Sequence, residues 1–204
     1  MQGIPLNERK RLGALLDDRP QAEVMAMIPQ FSQAETDNFV APPAQIPEAL
    51  GVLMFNMERG VNLPEIQEFL RDCPDIQPFD VILANELDDG CARSGNKNTA
   101  RELAQAFGLN YAWGLEFIEL VNDENAKGFH GNAVFSRWPI RRAGVIRLPE
   151  QYNWYFDRQK RIGGRLAVFA ELDVGGQPVG AVSIHLENRT HGEGRKAQMA
   201  AILE

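Results

Sequence analysis

Apolar runs of strand length alternate with stretches of helical period through most of this chain. LGVLMFN (50–56) is a continuous apolar run closed by a polar residue and reads as a buried strand. A helix is predicted from about Pro64 to Arg71, with proline in a tolerated first-turn position, and a second strand over FDVILAN (79–85). The next helix covers 100–107, with Thr99 and Glu102 at capping-box spacing and Gly108 as its stop. Strands are then expected at 110–118, 131–136, 143–148, 165–172 and 178–186. The last two are joined by DVGGQ, a glycine turn suited to an antiparallel hairpin. A helical pattern, GRKAQMAAILE, closes the chain. Strands alternating with helices early and hairpins late place the fold in the α/β or α+β class, a mixed sheet system covered by helices.

The first 47 residues have a different pattern. A short amphipathic stretch (Leu6 to Leu16) and an apolar patch (Val24 to Ile28) are followed by FVAPPAQIPEA, whose prolines at 42, 43 and 47 stop any helix from running on. This reads as an N-terminal extension, residues 1–47, ahead of a single domain, residues 48–204. An apolar share of 44% and a charged share of 24% are those of an ordinary globular chain. No apolar run approaches the roughly 18 residues that span a bilayer, and the charged start lacks the apolar stretch of a signal peptide. Cys73 and Cys91 form no CxxC pair, which removes a disulfide framework and a structural zinc site. A cytoplasmic setting is expected, and no obligate protein partner is indicated.

Charge narrows the chemistry. A net charge of −7 argues against a surface that coats polyanions indiscriminately. Residues 137–165 nevertheless hold eight basic side chains against Glu150 and Asp157, so this stretch either faces a phosphorylated substrate or is a solvated basic loop. Three polar groups sit where apolar strands end: Asn56, Glu86 and His185. Ligand sites in α/β sheets favour such strand ends, where side chains converge on a crevice. In the last strand, alternation puts Gly180, Val182, Ile184 and Leu186 on one face, read as core, and Ala181, Ser183 and His185 on the other, so His185 is expected to point away from the apolar layer. A carboxylate such as Glu86 suits Mg²⁺, which takes oxygen ligands, and an imidazole can serve a phosphoryl group as charge develops. A solvated strand-end charge and a structural histidine are the duller alternatives, and spacing alone leaves both open.

Whole segments carry a more specific signal. DVILANELDDG, LGVLMFNMERG, HGNAVFSRWPI and RLAVFAELDVGGQPVGAVSIHLENRTHGEGRKAQMAAIL resemble, in the right order over about residues 48 to 204, successive motifs of the endonuclease/exonuclease/phosphatase family. The resemblance implies a sandwich of two sheets flanked by helices, and a magnesium-dependent phosphoester hydrolase of nuclease or phosphatase type, with Mn²⁺ as a substitute metal. Glu86 would be the metal ligand and Asn56 its neighbour. His185, with Asn56 and Asn132, would form the catalytic set. Arg93, His130 and Arg165 are candidate substrate contacts, although His130 also reads as a strand-edge histidine and Arg93 as ordinary loop polarity. His191 reads as a solvated loop residue, and Trp154 as a candidate substrate contact. Asn85 stands where the family usually has glutamine. The family's later aspartate-x-asparagine strand end and terminal aspartate–histidine pair would lie beyond Glu204, which makes a non-catalytic binding module that keeps the fold the alternative reading.

Overall fold

The expected strands all form, and the reason is visible in where their alternating side chains go. A computed structural model describes residues 1–204. In chain order its helices and strands are α1 (Leu6–Ala14), α2 (Gln21–Ala26), β1 (Ala34–Asp37), β2 (Val52–Arg59), α3 (Leu63–Asp72), β3 (Val81–Asp89), α4 (Thr99–Phe107), β4 (Asn110–Glu119), β5 (Phe129–Ser136), β6 (Ile140–Arg147), β7 (Arg161–Gly163), β8 (Leu166–Val174), β9 (Gln177–Ile184) and α5 (Gly192–Leu203). The larger sheet runs β1-β4-β5-β3-β2, with β7 also on β4, and the smaller runs β6-β8-β9. Only β2 and β3 pair in parallel, which requires the crossover that α3 supplies. One apolar layer fills the space between the larger sheet and the helices, around Leu103, Ile82, Leu70 and Trp113. A second, around Val134, Leu166, Val168 and Leu172, lies between the sheets. The fold is thus a two-sheet sandwich flanked by helices. No helix is long and apolar enough to cross a membrane.

Local chemistry explains the boundaries. Gly175 and Gly176, both at positive φ, make the two-residue turn between β8 and β9, a geometry that matches strand twist and that side chains resist. Gly108, φ 58°, ends α4 as expected. The start of α4 differs by one residue from the expectation: Asn98 is the N-cap, accepting from Arg101 N, while Thr99 Oγ1 donates to Asp88 O. A buried carbonyl at the end of β3 outcompetes the helix for that hydroxyl.

Two further expectations change. In β9 the inward face carries Val179, Ala181 and Ser183, paired with Leu172, Ala170 and Val168 of β8, whereas Gly180 is exposed. The expected core face is therefore the outer one. The small, polar Ser183 faces inward because its hydroxyl bonds Ala84 O and Asn85 Oδ1 across the sandwich. His185 continues this inward face and so points into the sandwich end rather than away from it. The N-terminal residues, in turn, pack into the domain itself. Leu12, Leu16, Val24 and Phe31 join the helix-side core, Arg9 donates to the carbonyls of Lys127 and Asn125, and β1 extends the larger sheet along β4.

One sheet margin is bare. β9 lies against β3 and β5, and on the outermost strand β2 the alternating side chains Val52 and Met54 are 58% and 73% exposed. An apolar edge strand of this kind invites association. Size-exclusion chromatography of the 204-residue chain is expected to show a concentration-dependent species above the 22.8 kDa monomer, which Met54→Lys shifts toward monomer. A monomer at every concentration would contradict this.

Candidate active site

At the carboxyl ends of β2 and β3 the backbone is irregular in both strands. Pairing of β3 with β5 slips between Ala84 and Leu87, and pairing of β2 with β3 slips between Asn56 and Arg59. Such bulges re-aim side chains. Glu86 takes φ 59°, and Glu58 and Arg59 take φ 46° and 68°. A left-handed non-glycine residue costs about 1 kcal/mol or more and persists only where its surroundings impose it. For Glu86 that surrounding is Asn132, whose fully buried side chain accepts the Glu86 N–H at 3.1 Å. Glu86 and Arg59 thereby turn into one polar cavity of about 440 Å³, lined also by His130, Trp154, Arg158, Arg161, Arg165 and Arg189. The Glu86 carboxylate is a quarter exposed and has no lysine or arginine partner; its nearest charged neighbour is His185, Nε2 to Oε1 at 3.8 Å.

Beneath the cavity lies a buried ionic chain. Glu116, inside the wholly buried β4, accepts from Arg165 Nη1 at 3.1 Å, and its other oxygen lies 3.6 Å from His185 Nδ1 and 3.7 Å from His130 Nε2 with no hydrogen bond of its own. Burial pushes the Glu116 carboxyl up, but Arg165, then His185 and His130, outweigh it and hold it down at about 2. Asp88 is also pushed up by burial and brought to about 2 by hydrogen bonds from His130 and from Arg93, which grips it through Nε at 2.7 Å and Nη2 at 2.8 Å. Arg165 donates to His185 Nδ1 at 2.9 Å. Arginine cannot accept, so Nδ1 is the accepting nitrogen in that contact; Nε2 lies 3.8 Å from Glu86 Oε1 and 3.5 Å from Arg165 Nη1, and His185 sits behind Glu86 rather than among the residues lining the cavity.

Two consequences follow for stability. Both carboxyls titrate lower folded than their ordinary values of 4.5 and 3.8, so their contribution is complete above the ordinary range and is lost as pH falls through it toward about 2. Thermal melts should therefore fall steeply below about pH 4.5, and a melting temperature unchanged down to about pH 2.5 would contradict the ion-pair assignment. Glu116→Gln leaves Arg165 and two imidazoles without their shared anion and is expected to cost about 3 kcal/mol by denaturant unfolding. A loss indistinguishable from zero would mean that the chain of charges is not coupled.

The expected site residues divide on this geometry. Glu86, His185, Arg165, His130 and Asn132 converge. His130 lines the cavity yet is only 2% exposed, its ring held between Asp88 and Glu116. Asn132 meets the Glu86 backbone. Asn56 is exposed beside β3, and its Oδ1 accepts from Glu58 N, which shapes the turn that delivers Arg59. Arg93 lies outside the cavity lining, its charge taken by Asp88 and Glu119. Asn85, in the glutamine position, ties β3 to Ile184 O. Of the basic stretch at 137–165, Arg158, Arg161 and Arg165 line the cavity. Arg141 and Arg142 pair with Asp173 and Glu171 elsewhere, and the guanidinium of Arg147 is buried among carbonyls. His191 is exposed at the start of α5. Glu116, Asp88, Glu187, Arg59 and Arg189 were not anticipated. Glu116 had a signal: an acid in the middle of the apolar run YAWGLEFI.

No protein-family model matches the chain, and no curated protein matches it in sequence. Solved structures do match its fold. An endonuclease/exonuclease/phosphatase from Beutenbergia cavernae superposes with a TM-score of 0.54 at 22% identity over 74% of this chain and 42% of its own. An endonuclease/exonuclease/phosphatase family protein from Leptotrichia buccalis gives 0.52 at 20% identity, over 76% of this chain and 62% of its own. The chain thus has the fold of the endonuclease/exonuclease/phosphatase proteins and spans less than two thirds of the length of these two.

Proposed function

We propose that the protein carrying these 204 residues is a metal-dependent phosphoester hydrolase whose site lies at Glu86 and His185. The observation that supports this most is the Glu86 carboxylate, held by a strained bulge and free of any lysine or arginine, inside a cavity otherwise rich in arginine. Elsewhere around the cavity carboxylates are matched to cations; Glu86 alone is kept for something else. No group of three or more His, Cys, Asp or Glu side chains there has the geometry to hold a metal ion by itself, and Glu86 is the carboxylate left open to one. That donor set fits Mg²⁺, or Mn²⁺, which takes one or two carboxylates and fills its remaining positions with water and substrate phosphate. When bound, such an ion would polarise the phosphoryl group.

This chain's own residues supply the rest. Arg165 and Glu116 fix the His185 ring behind Glu86, from where its imidazole serves the phosphoryl group as negative charge develops. Arg165 is held in turn by Glu187, which also accepts from Trp154 Nε1, so the group that sets the ring has little freedom. Asn132 keeps Glu86 turned into the cavity. The reading is tested by screening the protein against phosphomonoesters and phosphodiesters with Mg²⁺, Mn²⁺ or EDTA. Metal-dependent release of product is expected, and binding of phosphoesters without turnover under all these conditions would favour a non-catalytic role.

A further inference from the structure

Recognition around Glu86 is carried almost wholly by charge. Trp154 is the only apolar residue lining the cavity, and it is not an open stacking surface. Its ring is 7% exposed, its Nε1–H is taken by Glu187, and the guanidinium carbons of Arg161, Arg165 and Arg189 lie 5.1, 5.4 and 5.8 Å from its centre. Stacked arginines already use the surface that a nucleobase or an acyl chain would need. The expectation that Trp154 meets substrate through its ring is therefore not supported by its surroundings.

The arginines themselves are of two kinds. Arg161 and Arg165 are buried and matched by Glu119, Glu116 and Glu187, so their charge is internal to the fold. Arg59 and Arg158 also line the cavity, but neither makes an ion pair or a side-chain hydrogen bond; the remaining arginine, Arg189, has Asp157 at 3.6 Å. Arg59 is brought there by the left-handed turn at the end of β2 and sits in register with Leu87, the residue after Glu86. A solvated arginine needs no such backbone. With one phosphoryl group at Glu86 and His185, two unmatched guanidinium groups remain at the same cavity, and a guanidinium binds phosphate oxygens strongly and with defined geometry.

We infer that the substrate is a small phosphoester with a second phosphoryl group, bound by Arg59 and Arg158, and that the site reads neither base nor acyl chain. This rests on the phosphoester reading of Glu86 and His185. The test is calorimetric titration of the 204-residue chain, in EDTA and at fixed ionic strength, with inorganic phosphate, pyrophosphate and thymidine 5′-monophosphate. Pyrophosphate is expected to bind at least about tenfold more tightly than phosphate, and the nucleotide no more tightly than phosphate. The greater charge of pyrophosphate could by itself raise affinity, so the variants decide. Arg158→Gln changes an exposed side chain, and Arg59→Asn keeps a residue that tolerates positive φ. Each should reduce the pyrophosphate preference, and together they should abolish it, so that the double variant binds the two anions with similar affinity. An undiminished preference in the double variant, equal binding of the two anions, or tighter binding of the nucleotide would overturn the inference. If phosphoesters are hydrolysed with Mg²⁺ but pyrophosphate shows no preference, this inference fails and the hydrolase reading stands. If neither anion binds and no phosphoester is hydrolysed, both fail.

Discussion

Glu86→Gln is expected to lower metal-dependent phosphoester hydrolysis by at least about 10³-fold, because charge stabilisation by a bound ion supplies several kcal/mol and the amide cannot hold a hard cation as the carboxylate does. The side chain keeps its size, and its backbone N–H still meets Asn132, so the bulge should survive. With no arginine or lysine lost from an ion pair, folding stability should change little. Turnover and melting temperature measured on the same preparation separate the two effects. A variant that turns over like wild type would remove Glu86 from the site.

His185→Ala is the second large effect, an expected fall in kcat of about 10²- to 10⁴-fold, the range for a positioned acid–base group. KM should move less, since ground-state binding falls to the arginines. The ring is 18% exposed and ends a strand rather than filling the core, so unfolding should be only modestly affected. His191→Ala is the control: that side chain is exposed at the start of α5 and should leave kcat near wild type. Equal losses in the two variants would dissolve the distinction between them.

Much of this arrangement could be read from the sequence, and the parts that could not have physical reasons. Strand period, the Gly175-Gly176 turn and the Gly108 stop are local signals, and the sheets follow them. Glu86 and His185 stand out in the sequence because each closes an apolar run, and the fold brings them within 3.8 Å of each other. The face of β9 was misread because Val182 and Ile184 look like core residues, whereas the inward position went to Ser183, whose hydroxyl has partners on β3. That choice depends on what lies across the sandwich, which periodicity does not encode. The role of Glu116, an acid in the middle of an apolar strand, is not legible locally, because its partners Arg165, His130 and His185 come from three distant segments. Arg93 read either as a phosphate contact or as ordinary loop polarity; in the fold it turns back onto Asp88 of β3, five residues earlier, which takes its charge. The N-terminal residues looked like an appendage because the prolines at 42, 43 and 47 set them off from the rest, yet Leu12, Leu16, Val24, Ile28 and Phe31 reach the helix-side core, while Met27 and Ile46 stay exposed.

The most direct test of the central claim is hydrolysis in ¹⁸O-enriched water with Mg²⁺, read by the isotope shift of the phosphate product in ³¹P NMR. Water attack at phosphorus predicts one ¹⁸O bonded to the phosphorus of the product, with the signal lost in Glu86→Gln and strongly reduced in His185→Ala. Product with no label on phosphorus, or labelled product formed equally by the Glu86 variant, would contradict the account.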